Sequence, residues 1–227
     1  MSDIELRRRR LRLALLALAW TVVGTFVAWL GALGWMSATV LTAGASLAFI
    51  AHIRRHADSM LRNLWICGLA AGFGELASDY WAAVQYGYLV YPAGEPMIWA
   101  SPLYMPFAWA VIVVQLGVIG FELADRFGLG RATLATGIIG GINVPIYEYL
   151  AKGADLWYCR NCWMLAGTTP YWIIVFEVLF ALPLAFLARK ANDSGPVAMF
   201  AWGVALAIWM WVGLIAAVAL VGQAPTG

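Results

Sequence analysis

The chain has 227 residues, of which 63% are apolar and only 11% are charged, with a formal net charge of +2. Soluble domains carry about 25% charged residues, so a water-soluble globule could not cover its surface with this composition. The small net charge gives no footprint for nucleic acid, and the length suits one compact membrane domain over residues 1–227.

A spanning helix needs about 20 mostly apolar residues. Seven stretches meet that need: Leu11–Leu33, Gly34–Ile53, Leu64–Leu89, Pro102–Phe121, Leu134–Leu150, Tyr171–Leu187 and Val197–Val221. The expected fold is therefore all-α, a single bundle of seven transmembrane helices. The N-terminal basic and apolar segment could be read as a signal peptide, but its apolar run is too long, so a retained anchor is expected. The first two spans nearly touch. Ser101 and Pro102 form a start signal for the fourth, as a capping hydroxyl followed by proline at the first helical position. Ala224–Gly227 is expected to fray.

Orientation follows from basic residues in the short connections. With the N-terminus in the cytoplasm, the inner segments hold Arg7, Arg8, Arg9, Arg10 and Arg12, then Arg54, Arg55 and Arg62, then Arg126 and Arg131, then Arg189 and Lys190. Only Lys152 and Arg160 remain outside, completing the 14 basic residues. The expected location is the cell's inner membrane.

Acids lie inside this apolar frame. Glu75 and Asp79 fall in the third span, Glu148 near the outer end of the fifth and Glu177 within the sixth, while both histidines, His52 and His56, sit at the inner surface. An ionised acid at the bilayer centre costs roughly 3 kcal/mol even on insertion scales. Without a basic partner, such acids stay protonated, face a wet cavity or hold a cation. Gly68, Gly72, Glu75 and Asp79 are spaced by 4, 3 and 4 residues, which puts them on one helical face. Gly137, Gly141 and Glu148 share a face of the fifth span. Small residues on such faces let helices approach closely, so tight packing in the inner half should give way to an acid-lined pocket in the outer half. The alternative is that these acids only lock helix packing.

The outer segment Tyr86–Pro106 reads YGYLVYPAGEPMIWASPLYMP. Its aromatics suit either an interfacial belt or a stiff cover over the pocket. Gln115 and Asn143 are further polar groups within spans, available as ligand contacts or as interhelical glue. Cys159 and Cys162 make a C-x-x-C on the second outer connection. A local disulfide is expected there in an oxidising compartment, with redox thiols or unpaired cysteines as the other readings. Zinc is disfavoured, since that side offers no histidine and no second cysteine pair. No span carries the lysine of a retinal Schiff base, and Walker A, G-x-S-x-G and H-E-x-x-H patterns are lacking.

The runs GFGELASDYWAAVQYGYLVYP, SPLYMPFAWAVIVVQLG and WYCRNCWMLAGTTPYWIIVFE resemble the layout of membrane carotenoid hydratases and heterodimeric-type lycopene cyclases. Glu75, Tyr88, Pro102, Pro106, Ala108 and Trp109 occupy the places of that pattern, across roughly Gly72 to Glu177. The small heptahelical terpene cyclases are similar in size and in their intramembrane carboxylates. The aspartate-bearing cyclase motif and the loop lengths do not match. The resemblance implies a cofactor-independent acid/base enzyme, with no metal, that hydrates or cyclises a terpenoid or carotenoid. Glu75 would then be the proton donor, Asp79 its partner or base, and Glu148 and Glu177 helpers across the pocket. Tyr80, Trp109 and Trp172 would line it, with Tyr88, Gln115 and Asn143 as further substrate contacts. The partners implied are the lipid bilayer and a hydrophobic, isoprenoid-like small molecule. Two other readings stand beside this one: a small-molecule or proton-coupled transporter, and a non-catalytic membrane subunit or assembly factor.

Overall fold

The computed structural model describes residues 2–222, and the Ala224–Gly227 tail lies outside them. It is built from helices. Helix α1 (Asp3–Gly31) starts at Ser2, whose side chain accepts from the Glu5 amide, and stops at Ala32 in a left-handed conformation (φ 45°). After the short turn through Gly34, α2 (Trp35–His56) runs back. Helix α3 (Ser59–Tyr80) is capped by Asp58, which accepts from the Leu61 amide at 3.0 Å. Its path continues through a π-helical turn, Trp81–Gln85, and ends at Gly87, which has a positive φ.

The aromatic segment then forms strands β1 (Leu89–Val90), β2 (Met97–Ile98) and β3 (Ser101–Pro102). Helix α4 (Met105–Phe127) follows. Its start corrects the sequence expectation. Ser101 and Pro102 belong to a small antiparallel pairing with Met97 and Ile98, and Pro106 is the proline in the first turn. Each proline lacks an N–H, so either fits a helix start; the β2–β3 pairing occupies the first.

Helix α5 (Leu129–Gly153) holds Pro145 internally. Strands β4 (Tyr158–Cys159), β5 (Met164–Leu165) and β6 (Thr169–Pro170) precede α6 (Tyr171–Ala181) and α7 (Leu184–Asp193). Pro183 separates those two helices, since proline removes a helical hydrogen bond and clashes with the preceding turn. Helix α8 (Pro196–Val221) closes the bundle.

Among the described residues, five stretches are long and apolar enough to cross a membrane: α1, α2, α4, α6–α7 together and α8. Apolar side chains such as Leu16, Leu30, Val197, Ile208 and Leu220 project outward from them, as lipid-facing residues do. Helices α3 and α5 are 22 and 25 residues long, and they are the ones that bring Glu75, Asp79, Asn143 and Glu148 inside.

Helix α3 is central and packs most extensively on α8 and α4, while α5 packs on α6. Glycines set both seams. A Cβ on Gly68 would sit 2.8 Å from the Ala110 Cα, and one on Gly72 would strike the Pro106 carbonyl. On the α5–α6 seam, a Cβ on Gly140 would sit 2.9 Å from the Glu177 carbonyl oxygen. The arginine-rich end is tied by ion pairs. Arg10 grips Asp58 through two hydrogen bonds of 2.9 and 2.8 Å, and Arg7 bridges Glu122 and Asp125. At the opposite end, β1 pairs with β4, Leu89 against Cys159, which ties the two aromatic connections together.

Candidate functional site

The seams open into one cavity of about 200 Å³ between α1, α2 and the core helices. All four acids singled out in the sequence reach its lining, as do Trp109, Gln115, Asn143 and Trp172. Glu75 is 2% exposed and Asp79 and Glu148 are 7% exposed, so bulk water does not solvate them. Among the described residues, no lysine, arginine or histidine lines the cavity.

Glu75 and Asp79 stand one helical turn apart on α3 and both line the cavity. Tyr91 Oη donates to Asp79 Oδ2 at 2.7 Å, and across the cavity Trp157 Nε1 donates to Glu148 Oε1 at 3.0 Å. Several polar atoms in the lining have no partner among the described residues: Glu75 Oε2, Ser78 Oγ, Trp109 Nε1, Gln115 Nε2 and Trp172 Nε1. Buried polar groups are nearly always satisfied, so these atoms have bonding capacity left for water or a ligand. Trp109 also stands edge-on to Phe176 and Phe180, with centroids at 6.0 and 4.9 Å, which fixes its ring.

Two expected contacts fall elsewhere. Tyr80 is one residue past Asp79 and so turned about 100° off the acid face; it stacks on Trp99 at 4.5 Å and accepts from Gln85. Tyr88 stacks on Tyr86 and lies 6.3 Å from Trp172, behind the lining. Their places are taken by Tyr91, Tyr104, Tyr147 and Trp157. Of these, Tyr91 and Tyr104 lie in the segment read as an aromatic cover. Tyr147 neighbours Glu148 in sequence, a signal that was available. Trp157 carries no local signal, because its position depends on the β1–β4 pairing.

The expected disulfide is not formed: Cys159 and Cys162 are free and buried. Strand pairing fixes Cys159 against Leu89, and the turn through Asn161 (φ 56°) intervenes. Burial pushes both thiols above the ordinary cysteine range, the opposite of what a redox-active thiolate needs. Among the described residues, no three His, Cys, Asp or Glu side chains are grouped to hold a metal ion.

The cover also holds an acid that the sequence does not single out. Glu95 is 8% exposed, and neither of its carboxyl oxygens has a partner among the described residues. Burial, with Asp155 adding repulsion, pushes its pKa up to about 7.

Helices with lipid-facing surfaces around an internal acidic and aromatic cavity define a polytopic membrane protein. The chain belongs to the family DUF6989, a domain of unknown function, which matches it over residues 76–221. That span takes in Asp79, Tyr104, Glu148 and Glu177 and begins one residue after Glu75. No curated protein and no solved structure matches the chain.

Proposed function

We propose that this protein is an acid/base enzyme that hydrates or cyclises a terpenoid or carotenoid-type isoprenoid inside the membrane. In this reading it has seven spans, with α3 and α5 as the third and fifth and α6–α7 as the sixth. Its N-terminus is cytoplasmic and it sits in the cell's inner membrane. The basic residues gathered at the α1 N-terminal end support that orientation.

The carboxyl pair of Glu75 and Asp79, facing an aromatic cavity that holds no basic residue, is the observation that carries the proposal. In the reaction, Glu75 delivers its proton to one alkene carbon. The alkene's π electrons form the new C–H bond, leaving a cation on the neighbouring carbon. The faces of Trp109 and Trp172 stabilise that charge. A second alkene closes a ring, or water forms a C–O bond. The cation or oxonium then loses a proton to Asp79 or Glu148. The sequence is redox-neutral, and side chains alone supply its proton transfers.

The cavity limits the reacting group. An engineered cavity of about 150 Å³ accepts benzene, so about 200 Å³ suits one or two isoprene units. A longer substrate would place only its end group among the acids. The glycine-closed seams arginine-ward of Glu75 favour a pocket over a carrier's through-path.

The test is the isoprenoid profile of cells expressing wild type or Glu75→Gln at equal membrane levels. A terpenoid product present with wild type and lost with Glu75→Gln supports the enzyme. Identical profiles across several isoprenoid backgrounds would sink it and turn attention to protein partners.

A further inference from the structure

Gln115, Asn143 and Glu177 line the cavity but take no part in the proton transfers of Glu75, Asp79 and Glu148. Gln115 is 3% exposed, and its Nε2 has no partner among the described residues. A buried amide with an unmade hydrogen bond is costly, so an acceptor on a bound molecule would relieve it. Helical register places the three residues at one depth. Helices α4 and α5 meet at Gly128 and pack along each other. At about 1.5 Å per residue, Gln115 lies about 20 Å from that turn and Asn143 about 22 Å. Glu177 is level with Gly140, whose Cβ would sit 2.9 Å from the Glu177 carbonyl oxygen, and Gly140 is about 18 Å from the turn.

The α3 acids stand at the other end. Gly68 meets Ala110 and Gly72 meets Pro106, so α3 runs antiparallel to α4 and carries Glu75 and Asp79 beyond the level of Pro106. Gln115 is about 13 Å along α4 from Pro106 in the arginine-ward direction. Between those levels α4 lines the cavity with Ala108, Trp109, Val111 and Ile112. The cavity therefore has two polar poles with an apolar and aromatic stretch between them. Since no cation lines it among the described residues, the inner pole does not suit a phosphate or a carboxylate. Amide N–H groups beside a carboxyl group match a hydroxyl, which accepts one hydrogen bond while donating another.

We propose that Gln115, Asn143 and Glu177 form a subsite for the hydroxyl group of an isoprenoid alcohol, whose alkene extends from that anchor toward Glu75. The assignment rests on the isoprenoid reading of the cavity and narrows it from hydrocarbons to alcohols. Gln115 donates from Nε2 to the hydroxyl oxygen, the Glu177 carboxyl accepts from the hydroxyl, and Asn143 supplies a second amide at the same depth.

The test compares tritiated geraniol with its deoxy analogue, tritiated 2,6-dimethylocta-2,6-diene. Binding to the full chain in lipid nanodiscs is measured above an empty-nanodisc blank, as mole fraction in the lipid. Wild type is expected to hold the alcohol about 10-fold more tightly than the diene. Gln115→Leu is expected to abolish that preference by weakening the alcohol alone. Diene affinity and melting temperature should be kept, since the Nε2 group has no protein partner to lose. Gln115→Met, closer to glutamine in shape, should do the same. Wild-type affinities for the two probes within twofold of each other overturn the subsite, and so does a preference that survives in Gln115→Leu. Loss of diene binding in both variants shows that Gln115 is structural and also overturns it. These outcomes leave the enzyme reading to the Glu75→Gln profile. Binding of neither probe to wild type overturns both the subsite and the isoprenoid reading.

Discussion

The Arg10–Asp58 pair permits a quantitative forecast. The Asp58 side chain is 0% exposed and that of Arg10 is 9% exposed, so water cannot replace either partner. Arg10→Met strands a carboxylate that retains only the Leu61 amide at 3.0 Å and His52 at 3.3 Å. Breaking a buried pair from one side costs about 3–5 kcal/mol. Arg10→Met/Asp58→Asn removes both charges, while the asparagine oxygen still caps α3, so the double variant should cost only about 1–2 kcal/mol. The assay is reversible denaturation in mixed micelles, read by tryptophan fluorescence. pH adds a second axis. Burial pushes the Asp58 carboxyl up, but the Arg10 hydrogen bonds and the Leu61 amide outweigh it and hold it below its ordinary 3.8. A depressed carboxyl contributes stability above the unfolded value and loses it as pH falls through the folded one. The gap between wild type and Arg10→Met should therefore be flat from about pH 5 to 8 and shrink below about 4. A double variant as costly as the two singles summed would refute the reasoning.

Three further outcomes are expected. Gly72→Ala drives a methyl into the Pro106 carbonyl and should destabilise by about 1–3 kcal/mol, whereas Gly130→Ala meets nothing within 4 Å and should be neutral or stabilising by about 0.5–1 kcal/mol; equal melting temperatures would contradict the packing. Glu95 prefers its protonated form in the folded state, so wild-type stability should fall as pH rises from about 4.5 to about 7; Glu95→Gln should flatten that decline, and parallel curves would show that Glu95 is solvated. Cys159 and Cys162 should resist maleimide at pH 7 and react after unfolding, as judged by mass; rapid labelling of the native protein would show that burial does not protect the thiols.

Much of the site was legible because helical spacing reports direction. Gly68, Gly72, Glu75 and Asp79 sit on one α3 face as their intervals require, with the glycines against α4 and the acids in the cavity. Polar residues deep in apolar spans stand out for the same reason, which is why Gln115 and Asn143 were found. Residues in the connections were harder to place. Tyr88 is expected at the site only through the family resemblance and Tyr80 as a pocket-lining residue, but the fold of the loop and the turn of the helix carry them away. Trp157 and Glu95 reach their positions through β1–β4 and β2–β3, whose strands are two residues long. Strands so short leave no alternation to read. The start of α4 failed for a related reason: Pro102 and Pro106 both satisfy the rule for a helix's first turn, and local preference cannot choose between them.

The wall of the cavity formed by Leu18, Val22, Ala38 and Leu41 has a consequence for kinetics. These residues come from α1 and α2, which bury the smallest share of their residues among the five apolar spans and turn their other faces to lipid. A ligand dissolved in the bilayer would reach that hairpin by diffusion in two dimensions. Its occupancy would then follow its mole fraction in the lipid rather than its concentration in the buffer. On the enzyme reading, diluting the membrane with inert phospholipid at fixed total ligand should lower the rate, while diluting the whole suspension with buffer should leave turnover per protein unchanged.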